Sequence, residues 1–258
     1  MWTDSNPPGL FITGTDTGVG KTYVAASVAR ELAAAGRRVG VYKPVSSGCV
    51  RGADGELVAE DAVHLWEAAG KPGELARVSP QRFAAPLAPH LAAREEATHV
   101  DPQLLRDGIG YWRERSEIVL VEGAGGLMSP ISDEDYNADL AVEFGYPLVV
   151  VAPNVLGVIN QTLQTLITAA SYGEGLPVAG IVLSDIRPIS PDDPSAASNR
   201  AELESRCVPP VLAGAAYGGG LDTRVDWYAL AATAPPPVTP PPDLVSVVRR
   251  FGEPEVRP

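Results

Sequence analysis

A glycine-rich segment that ends in a lysine and a threonine is the part of this sequence best suited to bind phosphate. The segment is Gly14-Thr15-Asp16-Thr17-Gly18-Val19-Gly20-Lys21-Thr22. It departs from the phosphate-binding pattern G-x-x-x-x-G-K-[ST] because five residues, one more than the pattern has, separate Gly14 from Gly20. In such a loop the backbone N–H groups converge on a polyphosphate at the start of a helix, where the helix dipole favours anions. We predict that Lys21 neutralises the β- and γ-phosphates and that the Thr22 hydroxyl joins the shell of a Mg²⁺ ion.

Three charged residues elsewhere come where strands or helices are expected to begin or end. Glu122 follows an apolar run, and a carboxylate at the carboxyl end of a strand in an α/β sheet points into the ligand crevice, so we predict a magnesium ligand. Lys43 follows the second strand at the same edge and could stabilise a transferring phosphoryl group. From the residues alone, a solvated lysine is an equal alternative there. Asp61 opens a helix, and its position by itself favours capping over metal binding.

The apolar pattern predicts an α/β fold. Short β-branched runs alternate with helical stretches, which is typical of a mostly parallel sheet with helices on both faces. The predicted strands are residues 10–13, 39–42, 117–121, 148–151 and 179–183. The predicted helices are residues 22–35, 60–69, 101–115, 137–144, 157–172 and 195–206. The glycine-rich loop therefore joins the first strand to the first helix, which is the context of a P-loop NTPase.

The chain of 258 residues is long enough to bury a core, and we predict a single domain over residues 1–258. Its composition changes near the end, where six of the eight residues 235–242 are proline. Because proline fixes φ and removes a backbone donor, that segment is neither a helix nor a central strand. We expect an extended connector there, followed by a short terminal helix around residues 243–251.

Charge, cysteine count and histidine spacing exclude several classes of protein and site. The net charge of −12 is opposite to that of most nucleic-acid binders. Cys49 and Cys207 are too few for a disulfide framework, and His64, His90 and His99 lack metal-ligand spacing, so we expect them to be structural or solvated. The first residues lack a basic and then apolar leader, and the apolar runs are far shorter than the ~18 residues of a membrane span. We expect a cytoplasmic protein with no nucleic-acid or membrane partner.

Four segments, taken together, resemble one family. Besides the glycine-rich loop they are Tyr42-Lys43-Pro44-Val45-Ser46-Ser47-Gly48, Ala85-Pro86-Leu87-Ala88-Pro89-His90 and Val121-Glu122-Gly123-Ala124-Gly125-Gly126. In order and approximate spacing they are similar to the dethiobiotin synthases, which belong to the P-loop NTPases. The resemblance continues through Gly157-Val158-Ile159-Asn160 to about Asp185, and it covers the C-terminal third only loosely.

The resemblance implies an ATP- and Mg²⁺-dependent cyclo-ligase. In that family 7,8-diaminononanoate takes up CO₂ as a carbamate, ATP phosphorylates the carbamate, and the second amine attacks the carbamic-phosphoric anhydride. The products are dethiobiotin, ADP and phosphate, in the penultimate step of biotin biosynthesis. The family also implies a homodimer with each active site at the interface, where the partner subunit's Gly157 and the partner subunit's Asn160 bind the substrate carboxylate at the start of a helix.

The same resemblance implies a role for each matching residue. Lys21 and Lys43 would be catalytic, holding the γ-phosphoryl group and the carbamate. Thr22, Asp61 and Glu122 match the magnesium set, which favours a metal role for Asp61 over capping. The implied nucleotide contacts are residues 14–22, Glu122, Gly125 and Ser184, and the implied substrate contacts are Thr17, Lys43, Ser47, Gly157 and Asn160. We expect Lys21 and Lys43 to lie on solvent-facing loops, where alanine would abolish turnover with little loss of fold.

Three departures from the family pattern leave the nucleotide preference open. Ser184 stands where other members carry an asparagine that recognises adenine, and the region around Ala215-Ala216-Tyr217 lacks their proline-containing segment. Gly18 replaces an acidic residue of some members.

Two other kinds of P-loop protein stay as alternatives. An amide-forming ligase of the cobyrinate amidase type needs a glutaminase domain, for which the sequence after residue 210 is too short. A switch of the partition ATPase type carries a second lysine where this chain has Asp16, and it needs a basic surface for DNA, which the net charge opposes.

Overall fold

Apolar runs rich in valine, isoleucine and leucine form a parallel sheet, and the stretches between them form helices. The computed structural model describes residues 6–53, 55–190 and 193–233. Within these ranges the strands are β1 (Gly9–Gly14), β2 (Val39–Tyr42), β3 (Val45–Ser46), β4 (Val50–Arg51), β5 (Leu57–Val58), β6 (Gln81–Arg82), β7 (Ile118–Glu122), β8 (Leu148–Pro153), β9 (Val178–Ser184) and β10 (Val211–Ala215). The helices are α1 (Lys21–Ala34), α2 (Glu60–Ala68), α3 (Leu75–Val78), α4 (Pro89–Glu95), α5 (Pro102–Arg113), α6 (Asn137–Phe144), α7 (Val158–Ser171), α8 (Pro194–Arg206) and α9 (Trp227–Ala232).

The central sheet has six parallel strands in the order β10–β9–β8–β1–β7–β2. Every residue of β1, β2, β7, β8 and β9 is buried. Because side chains alternate between the two faces of a strand, burial of every residue means that both faces of the sheet are covered. The predicted α/β fold, with a mostly parallel sheet between helices, is confirmed.

The strand order brings three chain segments to the same edge of the sheet. β1, which leads into the glycine-rich loop, pairs with β7 so that Ile12 lies opposite Glu122. β2 pairs with the other side of β7, with Tyr42 opposite Val121. Since all these strands are parallel, the residues that follow their carboxyl ends gather above one edge. Lys43 is thereby placed beside Glu122.

Several elements are absent from the sequence prediction. The two-residue strands β3 and β6 form a small parallel pair, and β4 and β5 form an antiparallel one. Elements that short have no measurable hydrophobic period. The edge strand β10 has the sequence VLAGA, which lacks a β-branched run. The single-domain prediction for residues 1–258 stays a prediction, since the proline-rich segment 235–242 and the expected helix around residues 243–251 lie outside the described residues.

Large aromatic side chains fix the elements that flank the site. The Tyr42 hydroxyl donates a hydrogen bond to the Leu105 carbonyl oxygen (2.7 Å), which ties β2 to α5. The Trp227 indole N–H donates to Glu31 (2.8 Å), which ties α9 to the helix after the glycine-rich loop. Within the ranges that the structure describes, no helix has the length and apolar character needed to cross a membrane.

Candidate active site

The glycine-rich loop curls over the start of α1. Gly20 precedes the helix with φ +92°, a left-handed conformation that strains any residue with a Cβ. No side chain caps the first turn of α1, so its free N–H groups point out of the helix as donors for an anion. The Lys21 ammonium folds back across the loop and donates to the Asp16 carbonyl oxygen (2.8 Å). The loop thus presents backbone donors and one ammonium on the same side.

A second charged cluster joins Lys43 to the ends of β7 and α1. Lys43 Nζ donates to Glu122 Oε1 (2.8 Å) and also contacts Asp61 Oδ2. The Thr22 hydroxyl donates to the same Glu122 oxygen (2.7 Å). Asp61 makes no capping hydrogen bond at the start of α2, so its carboxylate faces Lys43 and not the helix end. Two carboxylates, a hydroxyl and an ammonium therefore meet within hydrogen-bond distance.

Burial and charge set the protonation of this cluster. Burial lowers the pKa of Lys21, and the charge of Glu122 does not offset that effect. Burial alone would also lower the pKa of Lys43, but the charges of Glu122 and Asp61 outweigh it and raise the pKa. For Asp61, burial opposes ionisation, but the charge of Lys43 prevails and lowers the pKa. Lys43 and Asp61 thus form an ion pair at neutral pH.

The expected solvent-facing position of the two lysines is wrong. Lys21 is only 7% exposed and Lys43 only 6% exposed. Lys21 is the first residue of α1 and lies beneath its own loop, while Lys43 lies against the buried Glu122. The sequence places Lys21 at the end of the glycine-rich loop and Lys43 after a strand, but it does not show which neighbours cover them.

A cleft of about 720 Å³ opens above these groups. Of the residues predicted to take part, those that line it are Thr17, Gly18, Gly20, Lys21, Thr22, Lys43, Ser47, Asp61, Glu122 and Gly125. Gly14, Thr15, Asp16 and Val19 form the body of the loop behind it. Gly157 and Asn160 do not line it; both are exposed at the start of α7.

Ser184 touches the loop from the other side. It ends β9 and is 2% exposed, and its hydroxyl lies so close to Gly20 that a Cβ at residue 20 would clash with it. Tyr23, the residue after Thr22, contacts the Gly219 carbonyl oxygen through its hydroxyl. The turn that follows β10 is therefore joined to α1, and Tyr217 in that turn is largely exposed.

Sequence reasoning missed residues that hold the site together. Asn137, which is 1% exposed, donates to the carbonyl oxygens of Ala124 (2.6 Å) and Gly126 (2.8 Å) and accepts from the Ala124 N–H (3.1 Å). It thereby fixes the loop after Glu122. Its only signal in the sequence is an asparagine at a predicted helix start, which normally indicates a cap.

The histidines differ in where they lie. His64 lines the main cleft one turn after Asp61 and is exposed, and its expected structural or solvated role stays a prediction. His90, whose segment resembles the family, instead faces a separate cleft of about 190 Å³ together with Arg94 and His99.

The donor set at Glu122 fits a Mg²⁺ ion. Glu122 Oε2 is buried and has no hydrogen-bond partner among the described residues. With the Thr22 hydroxyl and the Asp61 carboxylate, it offers the oxygen donors that Mg²⁺ prefers. In the described part of the chain there is no group of three or more His, Cys, Asp or Glu residues that could hold a metal. A Mg²⁺ ion here would therefore need further oxygens, such as those of a bound polyphosphate.

Comparisons with known proteins identify the family of this chain. A family model described as an AAA domain matches residues 8–215. The protein named ATP-dependent dethiobiotin synthetase BioD of Rhodopirellula baltica is 43% identical over 213 residues, which are 79% of this chain and 82% of that protein. The chain belongs to the dethiobiotin synthetase family. The protein of the same name from Anaeromyxobacter dehalogenans strain 2CP-C is 44% identical over 195 residues, or 76% of this chain and 83% of that one.

Similarity to solved structures is weak. Chloroplast FtsY from Physcomitrella patens has a TM-score of 0.44 and 16% identity, over 90% of this chain and 66% of that chain. This TM-score is below 0.5, whereas the match to dethiobiotin synthetases covers most of both chains.

Proposed function

We propose that this protein closes the ureido ring of dethiobiotin from 7,8-diaminononanoate, CO₂ and ATP. Membership of the dethiobiotin synthetase family supports the reaction. The observation that carries the proposal is the meeting of Lys21, Thr22, Lys43 and Glu122 in one cleft, which combines a polyphosphate site with a second buried ammonium. A nucleotide-binding module alone would not need that second ammonium.

The chemistry takes three steps. One amine attacks CO₂, forms the C–N bond of a carbamate and loses a proton. A carbamate oxygen then attacks the γ-phosphorus, the bond from that phosphorus to the β,γ-bridging oxygen breaks, and ADP leaves. The second amine finally attacks the carbonyl carbon of the mixed anhydride, phosphate leaves, and the ring closes with loss of another proton. Because both amines belong to one molecule, the last step gains from positioning within the cleft.

The residues of the cleft suit the charges that these steps create. Lys21, held at the loop, stabilises the γ-phosphoryl oxygens during transfer. Lys43 balances the carbamate and then the leaving phosphate. Thr17 and Ser47 line the same cleft and supply hydroxyl groups for the diamine and its carbamate, whereas Gly125, also in the lining, supplies a backbone donor near the phosphate. The lowered pKa of Lys21 reflects burial, and a bound phosphate would offset that cost with its negative charge.

We propose Thr22, Asp61 and Glu122 as the residues that hold Mg²⁺. The buried, unpartnered Glu122 oxygen and the Thr22 hydroxyl beside it support this assignment. When bound, Mg²⁺ would neutralise charge on the phosphate oxygens. The chain's own contribution is to hold these three oxygen-bearing side chains in place beside the glycine-rich loop.

We also propose a homodimer in which the start of α7 reaches the partner's cleft. Gly157 and Asn160 are exposed and lie outside the cleft of their own subunit. Leu156, just before them, is 86% exposed and would be covered by the partner in such a dimer. The N–H groups at the start of α7, which has no side-chain cap, would then bind the substrate carboxylate. The expected cytoplasmic location stays a prediction.

Phosphate release tests the proposed reaction. Purified protein is given ATP and Mg²⁺, with 7,8-diaminononanoate and bicarbonate added together, singly or not at all. We expect release only when both are present, with one dethiobiotin formed per phosphate, and a loss of about 10²–10³-fold in Lys43→Met. Lys71→Met, which removes an exposed lysine paired with Glu67, is the matched control and should keep full activity. Release that ignores the diamine would overturn the proposal and favour an ATP-driven switch.

A further inference from the structure

The ammonium of Lys43 lies between the two carboxylates that we propose as magnesium ligands. It contacts Asp61 Oδ2 and lies 2.8 Å from Glu122 Oε1, and the latter atom also accepts the Thr22 hydrogen bond. Two of the three proposed magnesium ligands, the carboxylates of Asp61 and Glu122, are thus the partners of Lys43. Lys21 differs from Lys43 in its partner, because its ammonium donates to the neutral carbonyl oxygen of Asp16.

We propose that Lys43 is a displaceable counter-ion of the metal site, which leaves Asp61 and Glu122 when Mg²⁺ arrives with the nucleotide. This inference rests on the proposed function, because it takes the three ligands from there. The ion pair and the metal compete for the same two carboxylate groups, those of Asp61 and Glu122. Release of Lys43 then supplies an ammonium for the carbamate only after the metal nucleotide is in place.

Charge counting explains why the exchange is complete and not shared. The carboxylates of Asp61 and Glu122 together with the ammonium of Lys43 carry a net charge of −1. Lys43 balances one carboxylate, and one negative charge remains on the pair formed by buried Glu122 and half-exposed Asp61. Adding Mg²⁺ beside Lys43 would place +3 against −2 at short range, and the two cations would repel each other. The lysine stem has four carbons and several rotatable bonds, so the ammonium can move while the backbone after β2 stays fixed.

The exchange has a consequence for metal binding without nucleotide. In the wild type, a divalent ion must first break the contacts of Lys43 with both carboxylates, so free metal should bind weakly. In Lys43→Met the carboxylates lose their counter-ion, and metal should bind more tightly by about tenfold or more. Lys43→Arg keeps the charge and should bind as weakly as the wild type. Lys71→Met removes the same charge from an exposed position and should change nothing.

The first experiment measures Mn²⁺ binding without nucleotide by electron paramagnetic resonance in these four proteins and in the double variant Lys43→Met/Glu122→Gln. Tighter binding in Lys43→Met alone, lost again in Lys43→Met/Glu122→Gln, supports the exchange. Equal or weaker binding in Lys43→Met overturns it. The double variant shows that the gained site is the one at Glu122.

The second experiment follows the wild type directly, so it does not depend on how the variants fold. The chain has only three lysines, Lys21, Lys43 and Lys71, so lysine labelled with ¹³C at Cε gives three resolvable signals. A non-hydrolysable ATP analogue without metal should move the Lys21 signal, and addition of Mg²⁺ should then move that of Lys43. Lys71 should stay unchanged in both steps. A Lys43 signal that does not respond to Mg²⁺ overturns the exchange.

Failure of this inference differs from failure of the proposed function. Dethiobiotin formation by the wild type, together with an unresponsive Lys43 signal, rejects the exchange and leaves the reaction standing. Absence of dethiobiotin, together with the expected Mn²⁺ and lysine results, rejects the reaction and leaves the exchange standing.

Discussion

The Ser184 hydroxyl lies directly beside Gly20, so the end of β9 touches the phosphate-binding loop at its last glycine. The two residues are 164 positions apart in the chain, and neither strand β1 nor β9 pairs with the other because β8 lies between them. The contact therefore depends on the curl of the loop toward β9. It joins the glycine-rich loop, for which we propose phosphate binding, to residue 184, for which we propose a contact with the base.

Gly20→Ala should damage the loop more than a comparable change nearby. The new methyl would be strained at φ +92° and would also clash with the Ser184 hydroxyl, so we expect a loss of about 2–4 kcal/mol in the free energy of unfolding. Gly18→Ala is the control, because Gly18 has φ +73° but open space around it. Urea unfolding of both variants separates strain from clash. If Gly18→Ala costs as much as Gly20→Ala, the Ser184 contact contributes nothing.

The nucleotide preference should depend on residue 184. A serine hydroxyl rotates and can donate or accept, whereas an asparagine amide presents a fixed donor and acceptor to a base. We expect the wild type to discriminate weakly among triphosphates, and Ser184→Asn to raise the preference for ATP over GTP by about tenfold. The ratio of kcat/KM for the two nucleotides measures this, with Ser184→Ala as control. A wild type that already prefers ATP by several hundredfold contradicts the expectation.

Asn137 should be needed for the loop after Glu122. Asn137→Ala leaves three backbone groups of Ala124 and Gly126 without their partner, which we expect to cost about 2–4 kcal/mol of unfolding free energy. Asn137→Asp is nearly the same size, but its oxygen would face two carbonyl oxygens, so it should be no better. Thermal unfolding measures the loss of stability, and KM for the diamine measures whether the loop after Glu122 has shifted. An aspartate variant as stable as the wild type would show that these hydrogen bonds do not contribute to the free energy of unfolding.

Much of the fold follows from the sequence because the buried parallel strands are continuous apolar runs. The runs at β1, β2, β7, β8 and β9 were all predicted to within two residues at each end. β10 was missed because its alanines and glycine give no strand signal, and it is recognisable only once β9 offers an edge to pair with. The short strands β3 and β6 likewise exist only through their pairing.

For the site, the motif locates the phosphate-binding loop but not its neighbours. Lys43 and Glu122 both follow strands, and their contact depends on β2 and β7 being adjacent, which a single sequence does not reveal. The position of Asp61 in the sequence favours a cap of α2, whereas in the fold α2 packs against α1 and the Asp61 carboxylate contacts Lys43. The metal, nucleotide and substrate roles of these residues stay predictions.

Stability at low pH should depend on Asp135, just before α6. Arg106 donates to it (2.8 Å) and lowers its pKa, with help from the Ser132 hydroxyl. Since the folded pKa is below the unfolded value of about 3.9, the ionised carboxylate stabilises the protein above pH 4, and this contribution is lost as the pH falls through the folded pKa. Asp135→Asn should therefore be less stable by about 1 kcal/mol at pH 7 and should approach the wild type at acidic pH. Urea unfolding at a series of pH values measures the difference, and a constant gap down to pH 2.5 would contradict the assignment.

Mixing two inactive variants should restore activity if the active site is shared between subunits. Lys43→Met removes an ammonium from the cleft, whereas Asn160→Asp places a negative charge at the start of α7, where we propose that the partner's substrate carboxylate binds. A heterodimer of the two has one cleft in which both defects coincide and one that is intact. Random exchange of equal amounts makes half the dimers mixed, so about a quarter of wild-type activity should return. Refolding the variants together and separately, followed by the dethiobiotin assay, makes the comparison. No gain on mixing, with subunit exchange verified by mass, would mean that each cleft is complete within its own chain and that Asn160 does not reach it.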